Sequence, residues 1–184
     1  MSNFTSKGKR ATGFTLVELI VVIAIIGILA TIGMSSYINV QKSSRDVKRA
    51  ADIKEFRTAI ISYVSENGTF PSNSGCLNGW CCLGHGDAGT CWTTASGYHG
   101  STALDNSLSP YVDKIPDDPL NNTSRYGDAY MYRIDTDARG VYATLHWGIE
   151  NSSPKTQTCA GGTFANWGAD KGIGGNYYCM LIVR

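Results

Sequence analysis

Three patterns of hydrophobic and polar positions follow one another along the chain. From Phe14 to about Met34 the residues are almost continuously apolar (FTLVELIVVIAIIGILATIGM), interrupted by Glu18. A run of roughly 20 apolar residues is what an α-helix needs to span a bilayer. From Ser35 to about Asn67 the apolar positions become spaced: Val47, Ala50, Ile53, Ala59 or Ile60, Tyr63 and Val64 recur at intervals of three and four, with Phe56 beside them. Arg45, Asp46, Lys48, Arg49, Asp52, Lys54, Glu55 and Arg57 fill much of the remainder. This spacing predicts an amphipathic helix with one buried face. Gly68 supplies a C-terminal stop and Pro71 prevents continuation. Nothing between Phe14 and Gly68 demands a break, so both stretches are expected in one helix of about 50 residues, roughly 75–80 Å at the α-helical rise.

The third pattern is polar and punctuated. Residues 71–110 are rich in Gly, Ser, Asn and Cys and show little periodicity, which predicts a long connection of the kind that needs stapling. Pro116-Asp117-Asp118-Pro119 and Asn121-Asn122 mark turns. Three β-rich runs follow, Ala129–Ile134, Gly140–Trp147 and Tyr177–Val183, and predict a small antiparallel sheet covered by the Val47–Val64 helix face. The expected fold class is α+β. Its expected parts are a leader over 1–13, a spanning helix over 14–37, an amphipathic half over 38–68 and a globular head over 69–184. Within the head, 72–110 is the Cys-rich loop, and 125–184 holds the sheet and a C-terminal loop.

Charge and cysteine placement change this picture in two ways. The 184 residues carry a formal charge of +1, and Lys7, Lys9 and Arg10 stand in the first thirteen, where there is no acid; taking those three charges away leaves −2. A mildly acidic remainder has no basic surplus for a phosphate backbone. All six cysteines, Cys76, Cys81, Cys82, Cys91, Cys159 and Cys179, fall after residue 75, which suits a domain exported to an oxidising compartment. Basic residues flank the apolar run on both sides, so charge alone does not orient it. No A-x-A pattern follows that run, and the apolar segment is expected to be kept rather than removed as a secretory signal.

Gly13-Phe14-Thr15-Leu16-Val17-Glu18 joins three features that a plain anchor does not need together: a glycine before the apolar run, an aromatic at its start, and an acid at the fifth position. Glycine lets a protease approach an extended backbone without a Cβ in the way. A carboxylate within a spanning helix costs about 2.5–3.5 kcal/mol at mid-bilayer and less near an interface, and such a group is usually paired. A cut after Gly13 would give Phe14 a free amine, and the Glu18 carboxylate of one subunit would pair with the Phe14 amine of its neighbour.

The stretch from Gly13 to about Tyr37 resembles the N-terminal signature of type IV prepilins and type II secretion pseudopilins. The resemblance implies a pilin-like fold. It also implies cleavage between Gly13 and Phe14 by a prepilin peptidase that N-methylates Phe14, with Glu18 registering subunits during assembly. Arg49-Ala50-Ala51-Asp52-Ile53-Lys54, Glu66-Asn67-Gly68-Thr69-Phe70-Pro71, and Ile115-Pro116-Asp117-Asp118-Pro119 followed by Tyr130-Met131-Tyr132 are similar to major-pseudopilin sequences. The Cys-rich insertion between Ser72 and Ser101 departs from them, as does the C-terminal region, where Asp170 alone stands in place of an acidic calcium loop. The implied partners are further copies of the chain, the peptidase and N-methyltransferase, an inner-membrane assembly platform with its ATPase, and the membrane before assembly. The implied location is the inner membrane, then an extracellular filament at the cell surface or a periplasmic pseudopilus.

Pairing Cys159 with Cys179 would pin the last strand to the preceding loop, much as a pilin's C-terminal disulfide does. Cys76, Cys81, Cys82 and Cys91 allow three pairings among themselves, with the adjacent Cys81 and Cys82 the poorest match for each other. Zinc held by these cysteines with His85 or His99 is the alternative, but no C-x-x-C knuckle is present. Asp135-Thr136-Asp137-Ala138-Arg139-Gly140 departs from a calcium loop, with Arg139 at an oxygen-ligand position and His146 at the closing position. No metal or other cofactor is expected. His85, His99 and His146 form no nucleophilic arrangement, so no enzymatic activity is expected. Trp80, Trp92, Trp147 and Trp167 are assigned to packing. The expected function is a structural subunit of a type IV pilus-like filament. The alternatives are a type II secretion pseudopilin, and a minor pilin whose Cys76–Cys91 loop contacts a surface or DNA.

Overall fold

The computed structural model describes residues 13–84, 98–120, 129–150, 159, 163–164 and 177–184. The elements run in the order α1 (Leu16–Asn67), β1 (Cys81–Leu83), α2 (Thr102–Leu108), β2 (Tyr130–Asp137), β3 (Gly140–Ile149), β4 (Thr163–Phe164) and β5 (Tyr177–Val183). The chain divides into two compact units, Met1–Asn39 and Val40–Arg184. The second unit takes in the C-terminal part of α1 together with the sheet. The fold is α+β and pilin-like.

Helix α1 is uninterrupted over 52 residues. It ends where Gly68 adopts φ +71° and donates its N–H to Val64 O at 2.8 Å, a left-handed cap that satisfies one of the last orphan carbonyls. In the first unit every apolar side chain described on α1 is exposed, from Leu16 through Ile38. This is the one helix among the described residues long and apolar enough to cross a membrane.

In the second unit α1 lies on a five-stranded antiparallel sheet of order β1-β2-β3-β5-β4. Side chains alternate between faces along each strand. One face sends Leu83, Tyr130, Tyr132, Ala143, Leu145, Trp147, Cys179 and Val183 against Ile53, Phe56, Ala59 and Ile60 of α1. Burial of each large member contributes on the order of 1.5–3 kcal/mol. Tyr130 and Phe56 meet edge-on at 5.6 Å. The opposite face gathers Cys82, Ala129 and Met131 with Trp80 and Tyr98.

Three expectations are corrected here. Val47 is 68% exposed and lies off the core face, whereas Phe56 is wholly buried within it. Arg49 and Asp52, grouped with the polar residues filling the remainder of the helix, are buried. The connection from Pro71 to Pro110 contains β1 and α2; Ser101 caps α2 by accepting the Leu104 N–H. Gly84, at φ +80°, ends β1 beside the chain at Pro116. A Cβ there would lie 2.8 Å from the Pro116 carbonyl oxygen, so only glycine permits this approach. The three expected strands are β2, β3 and β5, with β2 and β3 each running past the expected end.

Candidate functional site

At the start of α1, Phe14 is 89% exposed and Thr15 precedes the first helical residue. The Thr15 N–H and hydroxyl both donate to Glu18 Oε2, each at 2.8 Å. The Glu18 N–H donates back to Thr15 Oγ1 at 3.2 Å. This is a capping box, in which a threonine and a glutamate three residues on satisfy each other's backbone donors at the exposed helix start. Glu18 therefore begins with partners inside its own chain. Thr15 was missed in the sequence because it reads as one more residue of the apolar run; the T-x-x-E spacing of Thr15 and Glu18 is the signal that could have found it. Gly13 lies immediately before this turn with open space around its Cα.

A second constellation ties α1 to the head. Arg49 donates through Nε to Asp118 Oδ2 at 2.7 Å and through Nη2 to Asp118 Oδ1 at 2.9 Å. Its Nη1 reaches Asp46 Oδ1 at 3.0 Å and Glu150 Oε1 at 2.8 Å. Arg45 donates through Nε to Glu150 at 2.6 Å, and the Glu150 N–H returns to Asp46 at 2.9 Å. Asp52 accepts from the buried Tyr130 hydroxyl at 2.6 Å and from Lys48 at 2.7 Å. One helix thus grips the Pro116–Pro119 turn, strand β2 and the end of β3. Burial works against the Arg49 charge, but the hydrogen bonds to and charges of Asp118 and Glu150 outweigh it and hold its pKa above the ordinary arginine value. Burial raises the Glu150 carboxyl, yet Arg45 and Arg49 bring it below the usual carboxylate range. Burial and the Asp52 bond push the Tyr130 hydroxyl upward.

The cysteines bind the same body. Cys76 pairs with Cys81 and Cys159 with Cys179. Cys82 is also disulfide-bonded, and Cys91 lies outside the described residues. Disulfide sulfurs are not thiolates, which takes these five out of a zinc site. His85, Trp92, Trp167 and Asp170 lie outside the described residues. His99 Nδ1 lies 2.8 Å from Gly100 O. Among the described residues no group of three or more His, Cys, Asp or Glu side chains could hold a metal ion. Asp135 and Asp137 face Arg133, Arg139 and Arg184 instead. His146, buried on the outer face of the sheet, meets Trp80 edge-on at 4.7 Å, and Arg133 stands 5.0 Å over the same indole. Burial, then the Arg133 charge, pushes the His146 imidazole down to about 4.

Residues 8–34 match the family model of the prokaryotic N-terminal methylation motif. The chain is 44% identical over 57 residues to the type IV major pilin protein PilA of Myxococcus xanthus, covering 31% of this chain and 26% of that protein. It is 31% identical over 71 residues to the type II secretion system core protein G of Pectobacterium carotovorum, covering 39% and 46%. With the core protein G of Vibrio cholerae the identity is 24% over 127 residues, covering 65% and 73%. The matches thus span about a quarter and under half of the first two relatives, and nearly three quarters of the third. No solved structure matches the chain. The long helix on a small antiparallel sheet, the methylation motif at its start and these relatives together support a likeness to type IV prepilins and type II secretion pseudopilins.

Proposed function

We propose that the chain is a non-enzymatic subunit of a type IV pilus-like filament, assembled through the exposed apolar half of α1 after cleavage between Gly13 and Phe14 and N-methylation of Phe14. The observation that carries this reading is Glu18, a carboxylate set in an otherwise apolar, solvent-exposed helix surface. In the membrane the Thr15 capping box offsets part of its burial cost. In a filament the carboxylate gains the Phe14 amine of a neighbouring subunit, so assembly adds a charge partner in a low-dielectric bundle. The exposed Val40 and Val47 extend the apolar surface along α1. The chain would sit in the inner membrane first and in the filament afterwards. It would use the peptidase, an assembly platform and an ATPase, because it has no phosphate-binding glycine loop of its own.

N-terminal mass spectrometry of the mature protein from its native host tests the cleavage: a free or methylated Phe14 is expected, and an intact Met1 overturns it. Glu18→Ala should be cleaved but assemble poorly; a normal filament yield from that variant overturns the pairing.

A type II secretion pseudopilin is the second reading. The match extending over 127 residues of a core protein G favours it. Electron microscopy of the native host separates the two, since long surface fibres support the pilus and their absence alongside an intact secretion phenotype supports the pseudopilus.

A further inference from the structure

Asn67-Gly68 and Asn78-Gly79 are the two Asn-Gly steps in the sequence. Such a step can close on itself: the glycine nitrogen attacks the asparagine side-chain carbonyl, and glycine, lacking Cβ, has the most freedom to reach it. Closing the five-membered ring needs that nitrogen on the Cβ side of the asparagine Cα–C bond. Asn67 is the last residue of α1; its Nδ2 donates to Tyr63 O at 2.9 Å, and the Gly68 N–H donates to Val64 O at 2.8 Å. Both reacting groups are thereby tied into the helix end.

Asn78 is exposed and is held differently. Its backbone is left-handed, with φ 51° and ψ 26°, a conformation that asparagine tolerates better than most residues. At that ψ the Gly79 nitrogen nearly eclipses the nitrogen of Asn78 itself, and Cβ stands well round the Cα–C bond from it. The Gly79 N–H donates to Cys76 O at 3.2 Å, the Trp80 N–H to Leu77 O at 2.9 Å, and Asn73 Nδ2 to Gly79 O at 2.8 Å. Cys76, bonded to Cys81, closes a ring around these residues with the two Cα atoms 5.2 Å apart. In a closed ring one ψ cannot turn alone, because its neighbours must turn with it. Opening the bond removes that coupling and leaves hydrogen bonds to hold a surface turn.

We propose that Asn78 is a latent deamidation site, kept closed by the Cys76–Cys81 bond. With the bond open, the Gly79 nitrogen adds to Asn78 Cγ, gives its proton to water and expels the side-chain nitrogen as ammonia, leaving a succinimide. Water then opens the ring at either carbonyl, to aspartate or to isoaspartate. No electrons change hands in these steps. The bond itself is opened by a dithiol such as dithiothreitol, which reduces it to two thiols and closes into its own cyclic disulfide. Either product carries a new negative charge, and isoaspartate adds a carbon to the backbone of the turn, so a head that stays reduced acquires a permanent mark. The inference concerns the head alone and stands whether the filament is a pilus or a pseudopilus.

The test is peptide mass spectrometry of the full chain in detergent, incubated at mildly alkaline pH and sampled over time, with isoaspartate counted by isoaspartyl methyltransferase labelling. It compares oxidised wild type, wild type reduced with dithiothreitol and alkylated, Cys76→Ser with Cys81→Ser, and Cys159→Ser with Cys179→Ser. Chemistry that needs local opening runs in proportion to the open population, so Asn78 should convert more than about tenfold faster in the reduced protein and in Cys76→Ser with Cys81→Ser than in oxidised wild type. Removing Cys159 and Cys179 should leave Asn78 at the wild-type rate, and Asn67 should stay slow throughout. An oxidised wild type that converts Asn78 within about threefold of the opened forms overturns the proposal. So does equal acceleration at Asn67, which would mean that the helix end had come apart with the turn. If Cys76→Ser with Cys81→Ser does not fold, the reduced and alkylated protein, its helix content checked by circular dichroism, gives the same reading.

Discussion

Arg49 and Asp118, 69 residues apart in sequence, meet in a two-pronged contact at 2.7 and 2.9 Å in which both side chains are almost wholly buried. Their planar groups match fork to fork, and α1 is thereby fixed to the Pro116–Pro119 turn. Arg49→Ala would leave the Asp118 carboxylate buried without its main partner. The expected cost is about 3–5 kcal/mol, measured as a fall in denaturant midpoint of the full chain in detergent. Arg49→Lys keeps the charge but not the fork and should fall between the two. A wild-type midpoint for Arg49→Ala would dismiss the clamp.

Stability should fall on acidification in two separate windows. The folded-state value of His146, about 4, lies below its ordinary 6.5. As pH drops through 6.5 the unfolded chain takes up a proton that the folded chain refuses, and stability present at neutral pH is lost down to about pH 4. The loss by pH 4.5 should be on the order of 2–3 kcal/mol. Glu150 is depressed from 4.5, so its contribution is present above that pH and disappears as pH falls further. Unfolding curves from pH 7 to pH 4.5 should be steeper in pH for wild type than for His146→Gln, and equal slopes would refute the assignment.

Helix face assignments separate by substitution. Ile53→Ala should cost about 2–5 kcal/mol as a core truncation. Val47→Ala should stay within about 0.5 kcal/mol, because Val47 touches solvent rather than the sheet. Thermal unfolding of the two variants decides this, and a comparable loss at both positions would restore Val47 to the core.

Thr15→Val removes the hydroxyl that serves Glu18 twice over, whereas Thr15→Ser retains it. Losing the cap should cost about 1 kcal/mol of helix-start stability. The effect should appear as faster amide exchange at Leu16–Glu18 in micelles for Thr15→Val, with Thr15→Ser close to wild type. Identical exchange in all three would show the capping box to be idle.

The Cys159–Cys179 bond closes a separation of 20 residues, for which chain-entropy reasoning gives about 3 kcal/mol. Replacing both by serine should lower the melting temperature by roughly 6–12 °C in a domain of this size. Calorimetry of the oxidised double variant checks it, and an unchanged melting temperature would mean that the bond closes a loop already fixed by other contacts.

Long periodic or β-rich segments were readable from the residues themselves. The apolar run and the Gly68 stop delimit α1, and Tyr130, Val141 and Leu181 sit in runs rich in the β-branched and aromatic residues that a pleated surface favours. Short elements were not: β1 is three residues of Cys-Cys-Leu, and α2 is seven, too few for a period to emerge. Val47 was misplaced because successive steps of three each fall about 60° short of a full turn, so Val47, Ala50 and Ile53 drift round the helix rather than align. Arg49 was assigned outward because charged side chains are seldom buried, and its partner Asp118 lies too far along the chain for local pattern to join them. The turn at Pro116–Pro119 was visible as a turn, yet its role as the acidic half of a clamp required the fold.

The grip on Arg49 also gathers separate parts of the head onto one side chain. Chain segments from two sides, the turn at Asp118 and the end of β3 at Glu150, hold one guanidinium on α1. Displacing Arg49 therefore breaks contacts to both segments together, so the seating of the helix, of the Asp118 turn and of the end of β3 depends on a single side chain.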